Sequence, residues 1–325
     1  LNKIIFSVGS VGTIAMCNLL SRYEGVFLPH WNEANLFLRI HEQVYPSTIF
    51  IVHKHRELDL WSQYIQQTPT VKSLHMVRNP SALAMSLANM WLFRDIIAGM
   101  PLPADVTDWL ISKSALSDFI CFDRIEQICR ETDDTLVIDT SELSDAEIDG
   151  TDLRIREHFQ LNSSPGEIEK GVKNSLFDRF LHHSPVFIAW QGIQFKIYFS
   201  AWGKLTLSPQ THEIFNFKSD AIWPHVYDAP KTIRVLIDTK NFHNMFFEDT
   251  RKLILPRLAE YLHKSLPGIG QHLLQRYESA LEQFEAIQLH ELPTRASEYY
   301  GQILNSKINS FVERHPHLQS RWNLF

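Results

Sequence analysis

An arginine and a serine eight residues apart, Arg78 and Ser86, follow the apolar run Leu74-His-Met-Val77 and flank Asn79-Pro80. A guanidinium presents the planar fork that phosphate oxygens accept, and a serine hydroxyl two turns into the next helix adds a donor beside it. Earlier in the chain, Ser7-Val-Gly-Ser-Val-Gly-Thr13 forms a turn of small residues between a strand and a helix. Gly12 allows the backbone to approach a ligand closely, and Thr13 opens a helix whose first amides and dipole favour an anion. Together these features point to a grip on a phosphorylated nucleotide. Each also has a plainer use. Gly/Ser turns after a first strand are common packing solutions, an arginine can cap a strand end beside an unrelated helical serine, and the Walker lysine is absent.

The elements that must position these residues alternate. Lys3 to Ser7, Thr48 to His53, Val71 to Val77 and Thr135 to Ile138 read as strands, rich in β-branched and apolar residues. Helices are expected from Thr13, over Asn32 to Gln43 and Glu57 to Gln67, from Pro80 to about Gly99, over Val106 to Glu131, over most of Ser141 to Phe159, and up to about His183. Such alternation predicts an α/β fold, a parallel sheet flanked by helices in three layers, with right-handed crossovers. Ligands of open sheets of this kind bind at the carboxyl ends of the strands, where Arg78 stands. Strands and loops with several tryptophans follow Pro185. Amphipathic helices broken at Pro267-Gly268 and Pro293 run from about Glu248 to the end. The expected organisation is a nucleotide-binding core over 1–184, a mixed region over 185–245 that completes the core or an acceptor site, and a divergent helical tail or cap over 246–325.

Composition narrows the function. A net charge of −6 gives no basic field for nucleic acid or an anionic membrane, so an anion must be held by a few local groups. Cys17, Cys121 and Cys129 suggest no disulfide framework and fit a reducing, cytoplasmic setting. Nothing resembles a leader or a spanning helix, and the chain reads as soluble. It opens on Leu1 with a strand two residues in, which suggests a domain of something longer.

Four segments, in order, resemble the sulfotransferases that use 3′-phosphoadenosine 5′-phosphosulfate (PAPS), and the resemblance covers about residues 3 to 182. Ser10-Val-Gly-Thr13 is similar to that family's 5′-phosphosulfate turn, and Ile51-Val-His-Lys-His-Arg56 to the strand end that presents its catalytic histidine. Val77-Arg-Asn-Pro80 through Ser86 matches its 3′-phosphate site, and Leu136-Val-Ile-Asp-Thr-Ser-Glu-Leu143 its next strand and turn. Pro165 to Ser175 further resembles a nucleotide-contacting helix end.

The resemblance implies a P-loop-like sulfotransferase fold. It implies an enzyme moving a sulfuryl group from PAPS to a hydroxyl of a glycan or small-molecule acceptor, without a metal. His55 would be the general base, a role suited to an imidazole. Ser10, Val11, Gly12 and Thr13 would hold the 5′ side of the nucleotide, and Arg78, Ser86 and Ser175 its 3′-phosphate. Ser10 stands where the family has a lysine on the leaving phosphate, and Lys54 or Arg56 is the replacement cation. The alternative is a catalytically silent module of the same fold that binds a nucleotide or a partner. Kinase-like P-loop activities usually keep the Walker lysine and Mg²⁺ ligands.

Other candidates have structural counterparts. Trp190, Trp202, Trp223 and Tyr227 suit either core packing or stacking on an acceptor. Glu33 serves as a second base candidate or as a helix-start carboxylate. His53 and His55, and His182-His183, are the nearest histidine groupings, without zinc-site spacing. His75, mid-strand, reads as a satisfied core or sheet-edge histidine.

Overall fold

A computed structural model describes residues 2–8, 12–20, 22–23, 26, 49–53, 55–68, 70–101, 105, 108–110, 120–161, 176–200, 212–218, 222–223, 232–238, 248–288 and 294–322. The helix expected over Asn32 to Gln43 lies outside the described residues. The chain forms two compact units, one of 1–91, 103–172 and 286–325, the other of 92–102 and 173–285.

The first unit is built on four strands, β1 (Asn2–Phe6), β2 (Ile49–Val52), β3 (Val71–Val77) and β4 (Asp134–Asp139), in the order β2-β1-β3-β4. Every pairing is parallel. The flanking helices are α1 (Thr13–Leu20), α2 (Leu58–Gln67), α3 (Pro80–Ile97), α4 (Phe122–Cys129) and α5 (Ile148–Phe159). The α/β class and parallel sheet expected from the alternation are thus present.

One core cluster gathers Ile4, Phe6 and Val8, Phe50 and Val52, with Leu58, Trp61 and Ile65 from α2 and Ile125, Ile128 and Cys129 from α4. Residues two apart on each strand share a face, which is why these join one layer. Burying each large member contributes about 1.5–3 kcal/mol. The helix expected from Val106 to Glu131 is not continuous. Cys121 has a non-helical backbone and precedes α4, and the Thr132 and Thr135 hydroxyls donate to the Cys129 carbonyl at 2.6 and 3.0 Å and stop it.

The second unit contains α6 (Leu176–His183) and the strands β5 (Val186–Trp190), β6 (Ile193–Ser200), β7 (His212–Lys218) and β8 (Thr232–Asp238). These form an antiparallel sheet ordered β5-β6-β8-β7. Its long helix α7 (Glu248–Gln283) runs straight through Pro256 and Pro267, so the break expected at Pro267-Gly268 does not occur. Both prolines lie on the exposed side, while Leu258, Leu262, Leu266, Gly270 and Leu273 are buried at helical spacing across them. That apolar stripe offsets the hydrogen bond each proline removes.

Gly270 is required by packing. A Cβ there would run into the Ile222 side chain, and the glycine carbonyl accepts the Trp223 indole N–H at 2.7 Å. Trp223 also packs against Phe177 and Phe199, and Trp190 against Phe195, so both serve the core. Trp202 and Tyr227 lie outside the described residues.

The carboxyl-terminal helices α8 (Thr294–Arg314) and α9 (Pro316–Arg321) belong to the first unit. Arg314 pairs with Asp123 and Glu126 of α4.

Candidate functional site

Because β2, β1, β3 and β4 are parallel, their carboxyl ends share one edge, and the residues that follow them meet there. Ser7 follows β1, His53 follows β2, Arg78 follows β3, and Asp139 ends β4. The Ser7 amide donates to the Val52 carbonyl at 2.8 Å and stitches the first two ends together.

The turn into α1 is fixed at Gly12, whose φ of +79° favours glycine. A Cβ at Gly12 would lie 2.9 Å from Thr140 Cγ2 and 3.5 Å from Met76 Cε. The turn therefore sits against the ends of β3 and β4, two residues from Arg78. The Thr140 hydroxyl in turn donates to the Val77 carbonyl at 2.9 Å.

Thr13 opens α1 with its hydroxyl buried against Ser7: its Oγ1 bonds the Ser7 hydroxyl and reaches the Ser7 carbonyl at 3.3 Å. The hydroxyl thus braces the turn, and the amides of the first helical turn, which have no intrahelical acceptor, are the kind of donors that can receive an anion. His53 Nδ1 lies 3.1 Å from the Ser7 carbonyl and 3.5 Å from Thr13 Oγ1. A carbonyl only accepts, so Nδ1 carries the proton and Nε2 is the basic nitrogen of the neutral ring. This link between β2 and the turn escaped sequence reasoning, which weighed His53 only as a metal ligand. Its sole signal was a histidine directly after a short apolar strand.

His55 begins a 3₁₀ turn, His55–Glu57, three residues beyond β2, and is half-buried with Nδ1 closed to solvent. Lys54, Ser10, Val11, Ser175 and Glu33 lie outside the described residues. Arg56 is exposed.

Arg78 is half-buried. Burial holds its guanidinium below its ordinary value, while the Asp139 carboxylate works in the opposite direction. Asn79 caps α3: its Oδ1 accepts the Ala82 amide at 3.2 Å, with Pro80 in the first helical position where a missing N–H costs nothing. Ser86 lies on that helix, half-buried.

At the end of β4, Asp139 and Glu142 form a reciprocal capping box over a 3₁₀ turn, Thr140–Leu143. The Glu142 carboxylate accepts the Asp139 amide at 2.9 Å and pairs with Arg154. The arrangement offers backbone amides at one point of the edge, with the His53 imidazole beside them, and a guanidinium at another: a suitable set for a ligand with two anionic groups. Among the described residues no cluster of three or more His, Cys, Asp or Glu could hold a metal ion, and no helix is long and apolar enough to cross a membrane. No protein-family model matches the sequence, and no curated protein matches it.

Proposed function

We propose that the chain is a sulfotransferase that holds PAPS along the carboxyl edge of its parallel sheet and transfers the sulfuryl group to a hydroxyl of a glycan or small-molecule acceptor. The observation that supports this reading is the packing of Gly12 against Thr140 and Met76, which brings the Gly-Thr turn beside the strand that Arg78 follows. Two segments far apart in sequence, each a candidate anion site, thus lie along one sheet edge. The bare Cα of Gly12 is what lets Thr140 and Met76 pack this closely against the turn.

In this reading the turn of Ser10, Val11, Gly12 and Thr13 holds the 5′ end, and Arg78 and Ser86 hold the 3′-phosphate. The acceptor oxygen attacks sulfur, the bond from sulfur to the 5′-phosphate oxygen breaks, and His55 takes the acceptor proton. Lys54, next to it, is the cation that offsets charge on the departing phosphate in place of a lysine at position 10. The three free cysteines fit a reducing compartment such as the cytoplasm.

The test is a labelled-sulfate transfer assay across hydroxyl acceptors with wild type and His55→Ala. Transfer that His55→Ala reduces by about a hundredfold or more supports the assignment. Transfer unaffected by the substitution removes His55 from its role. Binding of adenosine 3′,5′-bisphosphate (PAP) with no transfer to any acceptor favours the silent nucleotide-binding module instead.

A further inference from the structure

The amino ends of the parallel strands bring two lysines together. Lys3 of β1 and Lys72 of β3 are register partners, so both side chains leave the same face of the sheet, the one opposite Ile4 and Phe6. The Lys72 ammonium donates to the carbonyl of His158, in the last turn of α5, at 2.9 Å. A helix carboxyl end carries partial negative charge and holds a cation in place there. Lys3 has a different setting. It is 7% exposed, and among the described residues its amine meets no hydrogen-bond acceptor and no carboxylate, while the Lys72 charge repels it.

A buried ammonium without a counter-charge is costly, and burial next to a second cation favours the neutral amine. Burial first, and Lys72 second, hold the Lys3 amine below its ordinary value. A desolvated lysine beside a fixed cation is a nucleophile, because its lone pair is available. The low exposure of Lys3 admits only a small electrophile. A product that becomes negative would also turn the repulsion from Lys72 into an ion pair, since His158 uses one Lys72 N–H and an ammonium has others to give. Carbon dioxide meets both conditions, being small and uncharged before it reacts and anionic once bound. A small aldehyde meets only the first, because its imine gives Lys72 no anion to hold.

We propose that Lys3 is a carbamylation site, where the buried amine takes up carbon dioxide as a carbamate held by the Lys72 ammonium. The Lys3 nitrogen forms a bond to the carbon, one carbon–oxygen π pair moves onto oxygen, and the nitrogen gives up a proton to water. Lys72 is the positioning residue: fixed on the helix end by His158, it places positive charge beside the new carboxylate. Lys3 and Lys72 are each the second residue of their strand, at the amino rim. The candidate nucleotide site lies along the opposite, carboxyl edge, so the carbamate stands or falls apart from the nucleotide reading.

The experiment equilibrates the full chain with ¹³C-labelled bicarbonate and carbon dioxide at neutral pH, traps carbamates with a trialkyloxonium salt, and locates them by peptide mass spectrometry in wild type, Lys3→Met and Lys72→Gln. Wild type is expected to carry at least about tenfold more trapped label on Lys3 than on the exposed Lys264. Lys72→Gln should lower the Lys3 yield by about tenfold or more, because both the repulsion that keeps the amine neutral and the partner of the carbamate are lost. A melting-temperature rise with bicarbonate over chloride at equal ionic strength should accompany the label and vanish in Lys3→Met. Label on Lys3 no greater than on Lys264, or undiminished in Lys72→Gln, would overturn the proposal. A melting shift without trapped label would overturn it too, and would mean an anion bound between the two lysines. Should either variant lose its cooperative melt, the comparison of Lys3 with Lys264 within the wild type is decisive by itself.

Discussion

Replacing His75 with leucine should make the protein markedly less sensitive to acid. The ring lies on the central strand β3, 1% exposed, edge-on to Phe122 and Phe311 at centroid distances of 5.9 and 5.5 Å. Among the described residues neither ring nitrogen meets a hydrogen-bond partner. The expectation of a core histidine holds, but not that of a satisfied one. Burial first, and the nearby His315 second, push its pKa down to about 3. In the unfolded chain the ring titrates near 6.5.

Between those two values the unfolded state binds a proton that the folded state refuses. His75 therefore leaves stability intact at neutral pH and erodes it as pH falls from about 6.5 toward about 3. At pH 7 about one unfolded ring in four is protonated, and at pH 5 nearly all are, so this change costs about 2 kcal/mol. Leucine has similar bulk and cannot titrate. Urea unfolding of wild type and His75→Leu at pH 7 and pH 5 isolates the effect, because the other titrating groups are common to both. The loss between the two pH values should be smaller in the variant by about 2 kcal/mol. Parallel losses in the two proteins would refute the reasoning, and would mean that the ring finds a partner or water when charged.

Two further substitutions probe the turn and the long helix. Gly12→Ala should lower stability by about 1–3 kcal/mol in chemical denaturation, since the residue has a positive φ and its Cβ would press on Thr140. The same variant should lose nucleotide binding if the turn is the 5′ site. Pro267→Ala, on the exposed side of α7, restores an N–H donor and should raise the melting temperature, by up to about 3 kcal/mol in stability. A lowered melting temperature would mean that the proline fits a required bend.

Much of the first unit was legible because local signals agreed. Val71 to Val77 is an apolar strand that Asn79-Pro80 ends, and the same proline starts α3, so strand, turn and helix could all be placed from one stretch. Gly12 was readable as a tight turn, although only the packing of Thr140 and Met76 gives the reason for glycine there. What escaped was long-range. Trp322 meets Asp139 from the far end of the chain, and nothing in a tryptophan near a terminus announces that contact. His53 on the Ser7 carbonyl depends on β1 and β2 pairing in parallel, which no local pattern near position 53 encodes. The continuity of α7 was missed because proline is a strong local breaker, whereas the buried stripe that overrides it acts through tertiary packing.

The central claim, that the carboxyl edge of the parallel sheet binds a 3′-phosphorylated adenine nucleotide through Arg78, is tested most directly by thermal shift with PAP against ATP, in wild type and Arg78→Ala. PAP at a hundred times its dissociation constant should stabilise the wild type by about 2.7 kcal/mol, more than ATP does, and Arg78→Ala should abolish the shift. No response to PAP, a larger response to ATP, or a PAP shift that survives Arg78→Ala would contradict the account.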